Sequence, residues 1–341
     1  MLALAGLAAL VACSDALEQT TARGDSVVLV NAGSDSLTLV TVQQHAVTAL
    51  AVPPPGATPA GVAVFGSLLA VPGGDSAALT VFGFDNGRPA SDTTLRLAPG
   101  VSTGAVAFEN DSLVWVANPA QNTVTRLNVR SGAAATFAVG NDPEAVAVVN
   151  NTVYVVNANA PKGVPAGPSW ISELSADAVG PVVPDSGPLS GTNARFITLG
   201  DDGFLYVIEA GTAGKGDGKL SIVDTLAGRE QAVLLGLGDS PGPLVYHPTG
   251  RILIASPTQG ILEVNTTTRT LVRGPGDGVK PDGAGVVALT IDPTGRVYAV
   301  DQGTCSGPGV LHVLNPPPDY SEVADVTIGV CPVAAVTVLI P

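Results

Sequence analysis

The sequence predicts an all-β fold, a ring of short strands closed on itself, and three observations carry that reading. Gly (41) and Pro (28) alternate with Val-rich runs instead of collecting in low-complexity stretches, which marks many short strands joined by tight turns. No helical period of any length follows the first dozen residues. One strand pattern recurs along the chain at intervals of 39 to 52 residues, the length of a four-stranded supersecondary unit.

The recurring strand ends in a polar or turn-forming residue: Val28–Asn31, Leu69–Pro72, Val116–Asn118, Tyr154–Asn157, Tyr206–Glu209, Leu253–Ser256 and Tyr298–Asp301. A strand of smaller residues precedes each repeat after the first: Gly61–Val64, Ala105–Phe108, Ala145–Val148, Phe196–Leu199, Pro243–Tyr246 and Ala288–Ile291. Small side chains suit an innermost strand, where the units converge on an axis. Turns such as His247-Pro248-Thr249-Gly250-Arg251 and Asp292-Pro293-Thr294-Gly295-Arg296 follow some of them, with Pro and Gly where a type I turn wants them. An alternating strand follows in turn, as in Asn122–Leu127, Leu220–Val223 and Val310–Leu314.

The first repeat has no inner strand of its own, whereas Pro332–Val338 has the inner-strand pattern with no repeat after it. Ring closure accounts for both ends and removes exposed sheet edges. The prediction is therefore a seven-bladed β-propeller with four-stranded blades, its ring closed by the C-terminal strand joining blade 1. A pair of β-sandwiches is the alternative, and it does not account for one pattern running through the whole chain. Val114–Val124 and Tyr154–Asn157 resemble the YVTN-type propeller repeat, and the Asp292–Asp301 stretch resembles the NHL and sugar-lactone-hydrolase propellers. The resemblance spans essentially residues 26–341. It is specific for fold and poor for function, because propellers host hydrolases, dehydrogenases and plain binding modules.

Met1–Ala12 is apolar and too short to span a bilayer, as expected of a signal-peptide core. Leu10-Val11-Ala12-Cys13, followed by Ser14-Asp15, resembles the bacterial lipobox, although no Lys or Arg precedes the apolar run. The organisation this implies is a lipoprotein signal peptide over residues 1–13, a tether over 14–25 and a propeller over 26–341. Cys13 would carry the lipid and hold the chain in the cell envelope, with Ser14 matching the pattern sorted to an outer membrane. The other reading of this segment is a buried strand or helix with an incidental cysteine. If Cys13 is lipidated, Cys305 and Cys331 remain as an even pair in an oxidising compartment, where a disulfide is expected and two buried free thiols are the alternative. In the ring they fall on one face, where a bond would fasten the seam.

The formal net charge of −14 repels phosphate backbones and excludes nucleic acid as a partner. On the proposed fold, strand-end residues Asn31, Asn118, Asn157, Glu209, Ser256 and Asp301 form a ring near the face bearing the second-to-third-strand loops. Oxygen ligands in such a ring suit Ca²⁺ or another divalent cation, and turn capping explains the same residues without one. Long loops at Ala158–Ser169, Ala210–Gly218 and Gln302–Gly309 should project from that face. The four lysines, Lys162, Lys215, Lys219 and Lys280, fall there too, and Arg195 begins an inner strand near the channel mouth. With Trp170, Asn118 and Asn157 they make a candidate ligand surface with an anion-attracting character, and the tolerance of loops for charge explains the lysines without one.

Catalytic constellations are sparse: there is no Gly-x-Ser-x-Gly elbow, no paired His motif and no phosphate-cradling Gly loop. His45, His247 and His312 fall in different repeats and different kinds of segment, which argues against a histidine-based nucleophile or metal site. The expectation is a monomeric, non-enzymatic envelope propeller that binds a protein, a glycan or a small anion on its long-loop face. The alternative, implied by the lactone-hydrolase resemblance, is a metal-dependent hydrolase with Asn193, Glu209 and Asp301 around a channel ion. A quinoprotein-type cofactor enzyme is disfavoured by the 4% aromatic content.

Overall fold

Runs such as Val27-Val28-Leu29-Val30 and Ile252-Leu253-Ile254-Ala255 are buried at every position, because each strand packs one face on the preceding blade and the other on the next. That two-sided burial explains apolar runs without alternation, and β-branched residues suit the pleat. The computed structural model describes residues 25–42, 47–51, 59, 61–85, 88–178 and 185–339. The signal-peptide segment with Cys13, most of the tether, and His45 lie outside the described residues.

Blade 1 takes β1 (Ser26–Asn31), β2 (Ser36–Thr41) and β3 (Val47–Ala51), and blade 2 takes β4 (Ala63–Phe65), β5 (Leu68–Pro72), β6 (Ala78–Asp85) and β7 (Arg88–Arg96). Blade 3 is β8 (Val106–Phe108), β9 (Leu113–Asn118), β10 (Thr123–Asn128) and β11 (Ala134–Ala138). Blade 4 is β12 (Pro143–Val149), β13 (Thr152–Asn157), β14 (Trp170–Ser175) and β15 (Asp185–Pro188). Blade 5 is β16 (Ala194–Leu199), β17 (Phe204–Glu209), β18 (Lys219–Asp224) and β19 (Arg229–Leu235). Blade 6 is β20 (Leu244–His247), β21 (Arg251–Ser256), β22 (Gly260–Asn265) and β23 (Thr270–Arg273). Blade 7 is β24 (Ala288–Ile291), β25 (Val297–Asp301), β26 (Pro308–Leu314) and β27 (Glu322–Val330), and the last strand is β28 (Pro332–Val338).

Each blade is one four-stranded antiparallel sheet, and β28 pairs with β1 as the inner strand of blade 1. The ring thus closes as the sequence predicts, with Leu29 opposite Ala335 and Val27 opposite Thr337. The disulfide is present: Cys305, in the β25–β26 loop, bonds Cys331, which sits between β27 and β28 with Cα atoms 4.4 Å apart. The backbone of Cys331 also accepts a hydrogen bond from the amide of Ala32 at 3.0 Å, so one residue ties blade 7 to blade 1 twice.

The core is divided into seven apolar clusters, one between each pair of neighbouring blades. Trp115 and Phe137 of blade 3 meet Val153 and Val155 of blade 4, for example, and Tyr206 and Leu220 of blade 5 meet Ile252 and Ile254 of blade 6. Polar ties join blades as well. His247 takes hydrogen bonds from Thr249 at Nδ1 and places Nε2 2.9 Å from the carbonyl of Gly295, so its ring bridges the turns of blades 6 and 7. Gly295 has φ +84°, a left-handed conformation open to glycine at no steric cost.

Candidate ligand cleft at the channel mouth

The inner strands of all seven blades surround a cavity of about 460 Å³ on the ring axis. Its walls are small and apolar, Val62, Ala105, Ala145, Leu244, Ala288 and Ala334 among them. Two charged side chains enter it: Glu144 of β12 and Arg195 of β16, paired at 3.6 Å across blades 4 and 5. Burial raises the Glu144 carboxyl above its usual range; Arg195 opposes this and Asp142 adds to it.

Glu144 also forms the inner wall of a larger cleft of about 780 Å³ on the loop face over blades 2 to 4. The β9–β10 turn supplies Asn122, the β11–β12 connection supplies Asn141 and Asp142, and the β13–β14 loop supplies Asn159 and Lys162. Asn122, Asp142, Asn159 and Lys162 all have left-handed backbones, with φ between +50° and +57°. Asn and Asp adopt this conformation more readily than other non-glycine residues and serve as turn formers here, which leaves Lys162 as the costlier of the four. Asn122 Oδ1 accepts the Asp142 amide at 2.9 Å, and the backbone of Asp142 accepts that of Ala158 at 2.8 Å. The rim is therefore built from interlocked loops of adjacent blades. Asp142 is also raised, chiefly by burial, with Arg195 opposing.

Of the candidate residues named from sequence, Arg195 and Lys162 reach these cavities. Trp170 opens β14 beside the cleft, half-buried, lining a hollow with Asn159 and Pro168. A Cβ on Gly140 would lie 2.3 Å from the Trp170 Nε1, so a glycine makes room for the indole. The other lysines are dispersed: Lys215 lies in the β17–β18 loop, Lys280 in the β23–β24 connection. Lys219 is the first residue of β18 instead of a loop residue, and its Nζ donates to the Ser190 carbonyl at 2.9 Å.

Asn118 and Asn157 are fully buried, not at the loop surface. Asn118 donates to Thr123 and Thr125 hydroxyls at 3.1 and 2.8 Å, and Asn157 to the Ser172 hydroxyl at 3.0 Å. They lock the second strand of a blade to the third, so they face the blade interior for a structural reason. Asn193, Glu209 and Asp301 do not line the channel. Asn193 donates to the Gly211 carbonyl at 3.1 Å, and Asp301 accepts the Gly303 amide at 2.9 Å. The Glu209 carboxylate accepts the Gly191 amide at 2.7 Å and the Ser221 hydroxyl at 3.0 Å. Sequence reasoning missed the Glu144–Arg195 pair and Asp142, whose only sequence signal was polarity beside an inner strand.

The fold and these cavities define the class of protein: a seven-bladed β-propeller with a closed ring and an axial cavity that shares Glu144 with a cleft on the loop face. No protein-family model matches the sequence, and no curated protein sequence matches it. Solved structures share the fold at low identity. A functionally unknown protein from Desulfotomaculum acetoxidans superposes with a TM-score of 0.70 at 12% identity, covering 93% of this chain and 99% of that one. The Kuenenia stuttgartiensis hydrazine synthase matches with a TM-score of 0.67 at 15% identity, covering 83% and 90%. A streptogramin B lyase structure matches at 0.64 and 14% identity, covering 80% and 86%.

Proposed function

We propose that the protein is a cell-envelope lipoprotein, anchored through Cys13, whose propeller is a non-catalytic binding module for a hydroxyl-rich glycan in the cleft over blades 2 to 4. The observation that carries the binding reading is the cleft lining. Side-chain amides of Asn122, Asn141 and Asn159 alternate with the carboxylates of Asp75, Asp142 and Glu144 on one wall system. Amides and carboxylates together supply both the donors and the acceptors that sugar hydroxyls call for, and the Trp170 indole offers a flat apolar edge next to them. Those three carboxylates outnumber Lys162, the cation in the same lining, so a small anion is the weaker ligand class for this cleft. The absence of histidine and cysteine from the lining favours binding over nucleophilic chemistry.

Isothermal titration of the full chain carrying Cys13→Ser with fragments of envelope polysaccharide tests it. The expected result is saturable binding that weakens at least tenfold in Asp142→Ala and in Asn141→Ala. Equal binding by those variants, or none by the parent at millimolar glycan, refutes the cleft.

A further inference from the structure

We propose that the seam between blades 6 and 7 carries a binding site for a divalent first-row transition cation of the Zn²⁺ or Mn²⁺ class, liganded by Asp282, His312, Glu322 and Asp325. One ligand atom from each of the four lies within 4.8 Å of the others. Three separate pieces of chain supply them: the short turn Pro281–Gly283 in the β23–β24 connection, β26 and β27.

His312 is what separates this cluster from an ordinary acidic surface patch. It is 2% exposed, and Nδ1 points into the group, 2.8 Å from Glu322 Oε1 and 2.7 Å from Asp325 Oδ1. Its Nε2 is buried with no hydrogen-bond partner, so every polar contact of the ring lies in the cluster. A single N–H does not serve two carboxylates at full strength, and both recorded ion pairs of Glu322 and Asp325 are with this one histidine. Glu322 and Asp325 are thus two carboxylates set around one imidazole N–H, an excess of negative charge at a buried ring. A divalent cation at the centre takes that proton's place and neutralises the excess.

The backbone shows the same bias. Ordinary alternation puts residues 322 and 325 on opposite faces of a strand. The irregularity at Val313–Leu314, where Leu314 pairs with Glu322 and Val313 with Ala324, inserts one extra residue. It brings Glu322 to the face on which Asp325 stands opposite His312, the kind of re-aiming that bulges perform. Other blades show what this position otherwise does. Thr38, Thr125, Ser172 and Ser221 occupy it in blades 1, 3, 4 and 5, and each bonds inward to the last residue of its second strand. In blade 7 that inner residue, Asp301, is engaged with the Gly303 amide, and His312 turns outward to the acids.

The donor set is one imidazole nitrogen and three carboxylates, without thiolate. Imidazole selects Zn²⁺ and its first-row neighbours, and carboxylates admit Mn²⁺, whereas Ca²⁺ wants six to eight oxygens. Metal–ligand bonds of about 2.0–2.2 Å set tetrahedral ligand atoms roughly 3.3–3.6 Å apart. His312 would part from its two carboxylates, now at 2.8 and 2.7 Å, by less than about an ångström, and the exposed turn carrying Asp282 would close the fourth position.

The test uses the untagged full chain, stripped with chelator and dialysed, then given Zn²⁺ or Mn²⁺ alone, with metal content and thermal midpoint as readouts. The expected result is one equivalent retained per chain and a rise in midpoint. Asp282→Asn and Asp325→Asn should each weaken binding at least tenfold, and His312→Ala more. Should His312→Ala fail to fold, the two isosteric acid variants decide the matter. No retained metal, retention unchanged in both acid variants, or a response to Ca²⁺ that exceeds those to Zn²⁺ and Mn²⁺ overturns the proposal.

Discussion

Glu209, the last residue of β17, and Ser221, two residues into β18, are joined by a 3.0 Å hydrogen bond inside blade 5, and the same Ser221 hydroxyl lies 2.5 Å from Glu230. One hydroxyl has one proton, and here it faces two carboxylates. A proton on Glu209 resolves the conflict, because the acid can then donate to Ser221 while Ser221 donates to Glu230. Burial is the main reason the Glu209 carboxyl is pushed up to about 7, against hydrogen bonds from Ser221 and the Gly191 amide that favour ionisation.

Stability should therefore depend on pH through this residue. Its folded value stands above its unfolded one, so the folded state binds the proton more tightly. The contribution is fully present below about pH 4.5 and is lost as pH rises to about 7. Its upper bound is on the order of 3 kcal/mol, from 1.36 kcal/mol per unit. Urea unfolding at pH 5 and pH 8 should show Glu209→Gln flattening that slope and matching or exceeding the parent at pH 8. A parallel pH profile in the variant would place the proton elsewhere.

Blade 3 has Asn118 where blade 5 has Glu209, and the uncharged side chain changes the expectation. Its Nδ2 makes two hydrogen bonds to threonine hydroxyls, while its Oδ1 is buried with no partner. The gain and the desolvation cost partly cancel, and Thr125 keeps the Thr136 hydroxyl at 3.1 Å. Asn118→Ala should cost only about 1 kcal/mol. Asn118→Asp places a carboxylate in the same buried slot and should cost more, increasingly so as pH rises from 5 to 8. Equal losses for the two variants by denaturant titration would contradict this account.

How much of this was legible in the sequence differs between backbone and site. Ala288–Ile291 and Pro332–Val338 were readable to the residue, because small-residue runs bounded by turn signals mark strands wherever both faces are buried. The strand-end Asn and Glu residues were readable as a ring but not as inward-facing. Their partners, Thr38, Thr125, Ser172 and Ser221, stand 7 to 15 residues downstream, and their pairing depends on strand register. The grouping of His312 with Asp282 was hidden for a stronger reason: 30 residues and a blade boundary separate them. The bulge that re-aims Glu322 leaves no mark in a sequence of alternating polar and apolar residues.

The proposal of a lipid anchor at Cys13 carries a prediction of location as well as of modification. Metabolic labelling with a fatty acid should mark the parent chain, and Cys13→Ser should abolish the label and move the protein from the membrane fraction to the soluble one. Label retained in the variant would remove Cys13 from that role.

Ring closure predicts where the fold is most vulnerable. The Cys305–Cys331 bond closes a segment with a sequence separation of 26, for which chain entropy gives about 3–4 kcal/mol. Replacing both cysteines by serine should lower stability by that order, without unfolding the ring, because β28 still pairs with β1 along its length. Gly33 tests the seam independently of redox chemistry. A Cβ there would lie 2.9 Å from both Cys331 Cβ and Val330 Cγ1, in the turn whose amide bonds the Val330 carbonyl at 3.1 Å. Gly33→Ala should therefore force blade 1 away from blade 7 and destabilise the protein with or without the disulfide. Thermal unfolding of the parent, the double serine variant and Gly33→Ala, each with and without reductant, separates the contributions. Reductant should lower the midpoint of the parent and of Gly33→Ala but leave the serine variant unchanged. A parent insensitive to reductant would mean that β28 pairing alone holds the ring.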